Sequence, residues 1–213
     1  MLLPYLDILD PERQKAFKLL KHFSRTFVLA GGTAIMLQIG HRLSYDFDCF
    51  SEKPIPRNTD KMAYDIFGKD VVIRVQTRDQ ITLVTPTSVE ITFVCHPYKP
   101  LKKVIETDSI PLFHLDDLAA NKAMTIGKRG AWRDYVDLFF LLRNKLYSME
   151  VLIALAEQKF AGMFSEKLFL GQLIYFDDLD IATTAFIKNS YEEKEIKAFL
   201  EKQVEEYIRK RIH

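Results

Sequence analysis

Residues 27–51 constrain the fold more than any other part of the chain, because a glycine pair there separates an apolar run from an acidic one. Residues 27–30 are apolar and predict a short buried strand, whereas residues 34–40 have a helical composition. Between them lies Gly31-Gly32-Thr33, and adjacent glycines let the backbone turn sharply and approach a ligand closely. A glycine-rich turn from a strand into a helix directs backbone N–H groups at whatever lies above it, which suits a phosphate group.

A pair of aspartates follows this turn on a second predicted strand, residues 45–50. Asp46 and Asp48 are alternate residues of that strand, so their carboxylates share one face. Aspartate is disfavoured in strands and like charges on one face repel, but a divalent metal ion removes this conflict. The combination favours a site in which metal joins a nucleoside triphosphate to the protein. Either motif alone is common in ordinary turns and solvated loops, so the hypothesis depends on finding both.

The same residues resemble the first motif of a nucleotidyltransferase family, the one that includes the AbiEii and AbiGii toxins and belongs to the DNA polymerase β-like superfamily. The pattern of that superfamily is a Gly-Gly or Gly-Ser turn, a helix, and then Asp-x-Asp on a strand. In this chain the resemblance is carried by residues 29–34, His41-Arg42, Ser44 and Asp46-Phe47-Asp48. It implies transfer of a nucleoside monophosphate from a nucleoside triphosphate to an acceptor hydroxyl, with release of pyrophosphate.

A third acidic residue, Glu90, lies near the start of the last of three predicted strands in a β-rich block. Val89, Ile91 and Phe93 alternate along this strand and form its apolar face, so Glu90 begins the other face. In the superfamily a third carboxylate comes from a strand beside the Asp-x-Asp strand, and the resemblance makes Glu90 the candidate. The alternative is an edge-strand charge that faces water.

A second cluster, in the C-terminal half, also resembles the family, which has a lysine on one helix and Arg-Asp-x-x-Asp on the next. Here the lysine is Lys122, at the end of residues 117–122, and the second motif lies in residues 133–138. Asp134 and Asp137 are three residues apart, so they share a helix face. Without the resemblance, these charges would be interpreted as weak surface ion pairs.

The resemblance implies a role for each of these residues. Two Mg²⁺ ions would be held by the three strand carboxylates, Asp46, Asp48 and Glu90. The triphosphate would be bound through the backbone of the glycine turn, the Thr33 hydroxyl and two polar residues that follow: Gly31, Gly32, Thr33, Arg42 and Ser44. Lys122 would neutralise charge that develops on the triphosphate, and Asp137 would orient Lys122 or the acceptor.

The composition limits the partners of the protein. The chain has 213 residues, with 30 Lys plus Arg against 29 Asp plus Glu, so its formal net charge is +1. No global field attracts it to nucleic acid, and any basic surface must be local. Cys49 and Cys95 have neither a metal-ligand spacing nor a disulfide framework and are interpreted as core residues. Neither a signal peptide nor a membrane-spanning stretch is predicted, so we expect a soluble cytoplasmic protein with no membrane partner.

The order of the predicted elements gives an α/β fold of the α+β kind. A nucleotidyltransferase core with a mixed sheet, residues 1–112, precedes a helical bundle, residues 113–213, and the site is expected in the cleft between them. Strands are predicted at residues 27–30, 45–50, 71–77, 81–85 and 89–95. Helices are predicted at residues 11–25, with Asp10 as N-cap, and at residues 34–40, 59–67, 115–127, 131–143, 149–160, 166–175 and 192–211.

The resemblance also implies a biological role. The chain would be the toxin of a toxin–antitoxin pair, with an antitoxin protein as partner and the end of a tRNA, or another RNA, as acceptor. Two alternatives stay open. The acceptor hydroxyl could belong to a protein, because residue chemistry does not distinguish one hydroxyl from another. The chain could instead be a degenerate member that serves as a nucleotide-binding regulatory module, although the intact carboxylates Asp46, Asp48 and Glu90 argue against this.

Overall fold

The structure is a computed structural model that describes residues 3–128, 130–181 and 183–212. Its chain divides into two compact units, Met1–His114 and Leu115–His213. The described residues form one five-stranded mixed sheet and eight α-helices, with every named strand in the first unit. The predicted fold class, a mixed sheet followed by a helical region, is confirmed.

The first unit is built on the sheet, whose strands are β1 (Val28–Ala30), β2 (Phe47–Ser51), β3 (Val72–Gln76), β4 (Gln80–Val84) and β5 (Glu90–Cys95). Their order across the sheet is β1-β2-β5-β4-β3. β2 and β5 run parallel, and the other neighbouring strands are antiparallel. Each strand ends within two residues of its predicted bounds, but Asp46 precedes β2 and does not lie within it.

The two faces of the sheet differ in burial. On β2 and β5, the register pairs residues that are fully buried: Phe47 with Ile91, and Cys49 with Phe93. The Phe93 ring lies 4.8 Å from the Phe23 ring and 4.7 Å from the Phe27 ring, which places an aromatic core on this side. Asp48 and its partner Thr92 lie on the opposite face and are half-buried. The strand alternation therefore separates a fully buried apolar face from a half-buried face that carries Asp48.

The first unit also contains three α-helices: α1 (Pro11–Leu19), α2 (Gly31–Ile39) and α3 (Thr59–Phe67). Asp10 caps α1 as predicted, because its side chain accepts a hydrogen bond from the Arg13 backbone N–H at 3.0 Å. α1 is shorter than predicted and is followed by a 3₁₀ turn, Leu20–Phe23. Gly40 and Gly68, with φ of +61° and +108°, follow the last residues of α2 and α3.

The second unit contains α4 (Leu115–Ile126), α5 (Trp132–Arg143), α6 (Met149–Phe160), α7 (Glu166–Leu173) and α8 (Glu193–Ile212). Each helix ends within two residues of its predicted bounds. Ser148 and Ser165 cap α6 and α7, since their side chains accept hydrogen bonds from backbone N–H groups in the first turn of each helix. α5 contributes a wide apolar surface to the core, including Tyr135, Val136, Leu138 and Leu141, all fully buried.

The sequence predicts that one side of α8 is apolar, with Ile196, Phe199, Leu200, Val204 and Ile208 on it, and the structure differs near the end of the helix. Ile196, Leu200 and Val204 are buried as expected, but Ile208 is 44% exposed and the adjacent Tyr207 is buried in its place. The Tyr207 hydroxyl donates a hydrogen bond to Glu166 Oε1 at 3.0 Å, so the ring is buried while its polar end keeps a partner. Burial raises the pKa of this hydroxyl, and the Glu166 bond raises it further.

The two cysteines differ in burial. Cys49 is fully buried as predicted, whereas Cys95 is half-buried. Burial, followed by the negative charge of Asp48, raises the pKa of the Cys49 thiol well above its usual range. The thiol is therefore protonated and packs as a small apolar side chain.

Within the described ranges, every helix is too short or too polar to cross a lipid bilayer.

Candidate active site

Strand β1 leads directly into α2, and this brings the start of the helix against Asp48. In the antiparallel register of β1 and β2, Ala30 lies opposite Asp48, and α2 begins at the next residue, Gly31. Gly31 has φ of +65°, a left-handed conformation that favours glycine. A β-carbon on Gly31 would lie 2.0 Å from Asp48 Oδ2. The backbone conformation and the adjacent carboxylate therefore both require glycine here.

The predicted glycine turn forms the first turn of α2, which begins earlier than the sequence suggested. Gly31, Gly32 and Thr33 are its first three residues. The first N–H groups of a helix have no carbonyl partner within it and carry its partial positive charge. Ala30, the N-cap residue, offers these amides no side-chain acceptor. The helix start is thus chemically suited to an anion, directly beside Asp48.

A buried arginine lies against Gly32. A β-carbon at Gly32 would lie 2.5 Å from Arg42 Nη2 and 3.0 Å from Ser44 Oγ. Arg42 is only 2% exposed, and its Nη1 donates a hydrogen bond to the Leu43 carbonyl oxygen at 3.0 Å. The guanidinium therefore places a fixed positive charge next to the amides of α2. Ser44 is also buried, so neither side chain projects from the surface of the turn.

The Thr33 hydroxyl connects α2 to the residue that precedes β2. Thr33 is fully buried, and its Oγ1 donates a hydrogen bond to the Asp46 carbonyl oxygen at 2.5 Å. The same oxygen lies 3.0 Å from Ser44 Oγ. These contacts fix the backbone of Asp46 relative to the start of α2. The Thr33 side chain thus faces the protein interior, and its backbone N–H belongs to the first turn of the helix.

The three predicted metal ligands lie on the two parallel strands or next to them. The first residue pair between β2 and β5 is Phe47 with Ile91. Asp46 and Glu90 each lie one residue before that pair. Asp48 follows in the next pair, opposite Thr92. All three acidic residues are half-buried. The register therefore brings the third carboxylate to the strand beside the Asp-x-Asp motif.

The donor set at this place fits a divalent cation, because carboxylate oxygens are the ligands that Mg²⁺ takes in proteins. In the described part of the chain, no three His, Cys, Asp or Glu side chains already converge as ligands around one point. Glu90 instead forms an ion pair with Arg74, with Arg74 Nη1 3.1 Å from Glu90 Oε2. The carboxylates of Asp46, Asp48 and Glu90 are therefore suitable ligands for a metal ion, and Glu90 has Arg74 as a cationic partner.

In the second unit, Lys122 lies between two aspartates. Its Nζ is 2.5 Å from Asp134 Oδ1 and 2.6 Å from Asp137 Oδ2, and all three residues are buried. Lys122 comes from α4, and both aspartates come from α5. The two carboxylates fix the position of the Lys122 ammonium, and the three groups together carry a formal charge of −1.

A second buried ion pair in this unit was not predicted from the sequence. Lys159 Nζ on α6 lies 2.7 Å from Asp117 Oδ1 on α4, and neither side chain has any exposed surface. One signal in the sequence is the position of Lys159, which lies three residues after buried Ala156 and seven after buried Leu152 on the apolar face of α6. A lysine on such a face requires a buried acidic partner.

Comparison with known proteins identifies the family. The family described as nucleotidyl transferase AbiEii toxin, type IV TA system, matches residues 18–211, a range that includes both clusters. The chain belongs to this AbiEii family. The resemblance drawn from the glycine turn and the Asp-x-Asp motif is thereby confirmed.

Three known proteins show how far the similarity extends. Protein aq_aa25 of Aquifex aeolicus (strain VF5), itself uncharacterized, is 30% identical over 191 residues, which cover 85% of this chain and 88% of its own. JHP933 from Helicobacter pylori is 18% identical with a TM-score of 0.60, over 92% of this chain and 90% of its own. MenT4, a nucleotidyltransferase toxin from Mycobacterium tuberculosis H37Rv, is 13% identical with a TM-score of 0.56, over 93% and 82%. These two structures share the fold.

Membership of the AbiEii family confirms the predicted enzyme class, because the family is one of nucleotidyltransferases. Enzymes of this class take a nucleoside triphosphate as substrate, and as a rule they use a divalent metal ion to stabilise its reacting phosphates.

Proposed function

We propose that this AbiEii-family protein is a Mg²⁺-dependent enzyme that transfers a nucleoside monophosphate from a nucleoside triphosphate to an RNA hydroxyl, and that it acts as a toxin. The observation that carries the proposal is the packing of Asp48 against Gly31, where a β-carbon would be 2.0 Å from the carboxylate. A helix N-terminus and an acidic side chain are thereby adjacent. A triphosphate with a metal ion requires both, one for its phosphate oxygens and the other for the ion.

In this proposal the phosphates bind to the backbone of Gly31, Gly32 and Thr33. Backbone N–H groups at a helix start are fixed donors, so they lose little conformational freedom when an anion binds. The guanidinium of Arg42 adds positive charge beside Gly32 and raises the anion affinity of the turn. Ser44, which lies beside both Gly32 and Thr33, supports the same turn.

In this proposal Asp46, Asp48 and Glu90 would hold two Mg²⁺ ions. The chemistry that the ions would supply is activation of the attacking oxygen and charge stabilisation of the leaving pyrophosphate. The protein's own contribution is to fix the carboxylates before substrate arrives. The Thr33 hydroxyl fixes the backbone at Asp46, and the approach of Gly31 limits the positions that Asp48 can take.

Lys122 supplies a positive charge for the triphosphate in this proposal, and Asp137 orients it. Negative charge builds on the pyrophosphate as its bond to the transferred group loosens, so a fixed cation stabilises the transition state more than the ground state. The contacts of Lys122 with Asp134 and Asp137 supply that fixed position. A flexible surface lysine would lose more side-chain entropy in making the same interaction.

The toxin role is supported by the family, which is described as toxins of a type IV TA system. MenT4, which shares the fold, is likewise a nucleotidyltransferase toxin. We extend this role to the present chain, with the end of a tRNA or another RNA as acceptor and an antitoxin protein that limits its action. Its expression should then slow cell growth, and Asp48→Asn should relieve the inhibition.

Transfer of radioactive label tests the proposal directly. The protein is incubated with Mg²⁺ and each of the four α-³²P-labelled ribonucleoside triphosphates, in parallel with total RNA and with RNase-treated cell protein. RNA should become labelled by one or more of the triphosphates. Asp48→Asn should abolish labelling, because it removes a charged ligand. Asp70→Asn, an equivalent change at an exposed residue before β3, should retain it.

The possible results separate the parts of the proposal. Label in protein but not in RNA would show that the acceptor class is wrong while the transfer chemistry is right. Equal labelling by wild type and Asp48→Asn would remove the carboxylate from the mechanism. If the folded protein labels neither acceptor with any triphosphate, the proposed transferase activity is refuted.

A further inference from the structure

The ion pair between Arg74 and Glu90 reaches across a strand of the sheet. Arg74 Nη1 lies 3.1 Å from Glu90 Oε2. Arg74 belongs to β3 and Glu90 to β5, and β4 runs between them. Neighbouring strands are about 4.8 Å apart, so the two backbones are separated by roughly 10 Å. Both side chains must therefore extend over β4 to meet.

A local irregularity in β3 accompanies the position of Arg74. Ile73 lies opposite Leu83, which is fully buried, so the following residue points to the opposite face of the sheet. The next pair in the register is Val75 with Thr82, which makes Arg74 an inserted residue in the ladder. Bulges of this kind redirect side chains and are over-represented next to active sites.

The charges around Glu90 give the ion pair a consequence for metal binding. Carboxylates gathered on one face repel each other, and the guanidinium of Arg74 offsets this repulsion at Glu90. The pair is accessible, since the side chain of Arg74 is 61% exposed and that of Glu90 is 35% exposed. An ion pair so exposed adds little to folding stability, and its arginine can move into solvent at low cost.

We propose that Arg74 competes with the divalent cation for Glu90. Its guanidinium neutralises the carboxylate when no cation is bound and withdraws into solvent when one binds. The inference rests on the proposed function, because it takes Glu90 as a ligand of the cation. Arg74 thus weakens the binding of a cation to the substrate-free protein, whereas a cation that arrives with a triphosphate still binds tightly.

Mn²⁺ binding to the triphosphate-free protein, followed by electron paramagnetic resonance, tests this proposal. Arg74→Ala should bind Mn²⁺ about three- to tenfold more tightly than wild type, the size expected when one exposed positive charge is removed several ångströms from a divalent ion. The gain should shrink as the salt concentration rises, because exposed charges are screened. Melting temperatures of the variants should match that of the wild type, since the pair is exposed.

Two controls separate competition from a general charge effect. Arg78→Ala removes the same charge from the exposed turn between β3 and β4 and should leave the Mn²⁺ affinity near that of the wild type. In a Glu90→Gln background, Arg74→Ala should no longer change the affinity, because the contested carboxylate is absent.

Three other results would overturn the inference in distinguishable ways. Equal Mn²⁺ affinities of Arg74→Ala and Arg78→Ala would refute competition and leave the proposed function intact. Weaker binding by Arg74→Ala would show that Arg74 orients Glu90 for the cation, the opposite role. Failure of the wild type, Arg74→Ala and Arg78→Ala to bind Mn²⁺, even after a non-hydrolysable triphosphate is added, would refute the proposed metal site and this inference with it.

Discussion

Replacing Gly31 by alanine should damage both stability and transfer, because the added methyl group falls on Asp48. Alanine at φ +65° costs about 1–2 kcal/mol in backbone conformation. The new β-carbon would lie 2.0 Å from Asp48 Oδ2, 2.9 Å from Cγ and 3.0 Å from Cβ. Side-chain rotation can move the first two atoms, but the Asp48 Cβ moves only with the backbone of β2. Overpacking of this kind costs about 1–3 kcal/mol, so the total loss is about 2–5 kcal/mol.

The effect on activity follows from the same displacement. If β2 shifts away from α2, Asp48 moves relative to the helix amides that are proposed to bind the phosphates. A misplacement of about 1 Å can lower a rate about 10²-fold, so we expect at least that loss for Gly31→Ala. Urea denaturation measures the stability, and single-turnover transfer from an α-labelled triphosphate measures the rate at a temperature where the variant is folded.

Gly171→Ala is the matched control for this prediction. Gly171 lies in α7, and a β-carbon there would have no atom within 4 Å. Alanine in a helix interior should therefore stabilise the protein by about 0.5–1 kcal/mol without changing the rate. The reasoning fails if Gly31→Ala is as stable and as active as the wild type. A destabilised variant with an unchanged rate would mean that the glycine serves the fold alone.

Three further changes test other parts of the structure. The hydrogen bond from the Arg13 backbone N–H lowers the pKa of Asp10, so the charged cap stabilises the fold above the unfolded-state pKa of about 3.9 and loses that contribution as the pH falls through the folded-state pKa. Asp10→Ala should therefore cost about 1 kcal/mol at pH 7 and less in acid, by urea denaturation. Lys159→Met should cost about 3–5 kcal/mol, because it leaves the buried Asp117 charge without this cation; a loss below about 1 kcal/mol would contradict that account. Lys122→Ala should lower single-turnover transfer about 10²-fold, and the proposed role is wrong if exposed Lys128→Ala has the same effect.

Helix positions in the second unit could be predicted closely because their signals are local. α6 occupies residues Met149–Phe160 as predicted, and Ser148 caps it through its own side chain. An apolar period of 3.6 residues marks the buried face of such a helix over its whole length. The pattern predicts burial less well at the end of a long helix, where neighbouring residues compete for the buried position. At the end of α8, Tyr207 is buried in preference to Ile208 because its hydroxyl reaches Glu166.

Parts of the candidate site depend on contacts that one sequence does not reveal. The glycine turn and Asp48 were identified from the sequence, but the contact between Gly31 and Asp48 follows from the pairing of β1 with β2. Arg42 is predicted at the triphosphate site, and its burial against Gly32 is a tertiary contact that the sequence does not indicate. Burial of an arginine is uncommon, so sequence reasoning favours an exposed side chain unless a tertiary partner is known.

The position of β5 determines when this sheet can form during synthesis. β5 is the last strand in the sequence, yet it lies between β2 and β4. A nascent chain that ends before Glu90 can form only two separate strand pairs, β1 with β2 and β3 with β4, and isolated pairs are marginally stable at best. The ribosome adds roughly 5–20 residues per second. It must extend the chain beyond Cys95 before β5, the central strand, leaves the exit tunnel. Unfinished chains therefore lack the strand that carries Glu90, and Asp46 and Asp48 stay without that neighbour until the chain has grown past Cys95 and β5 has left the tunnel.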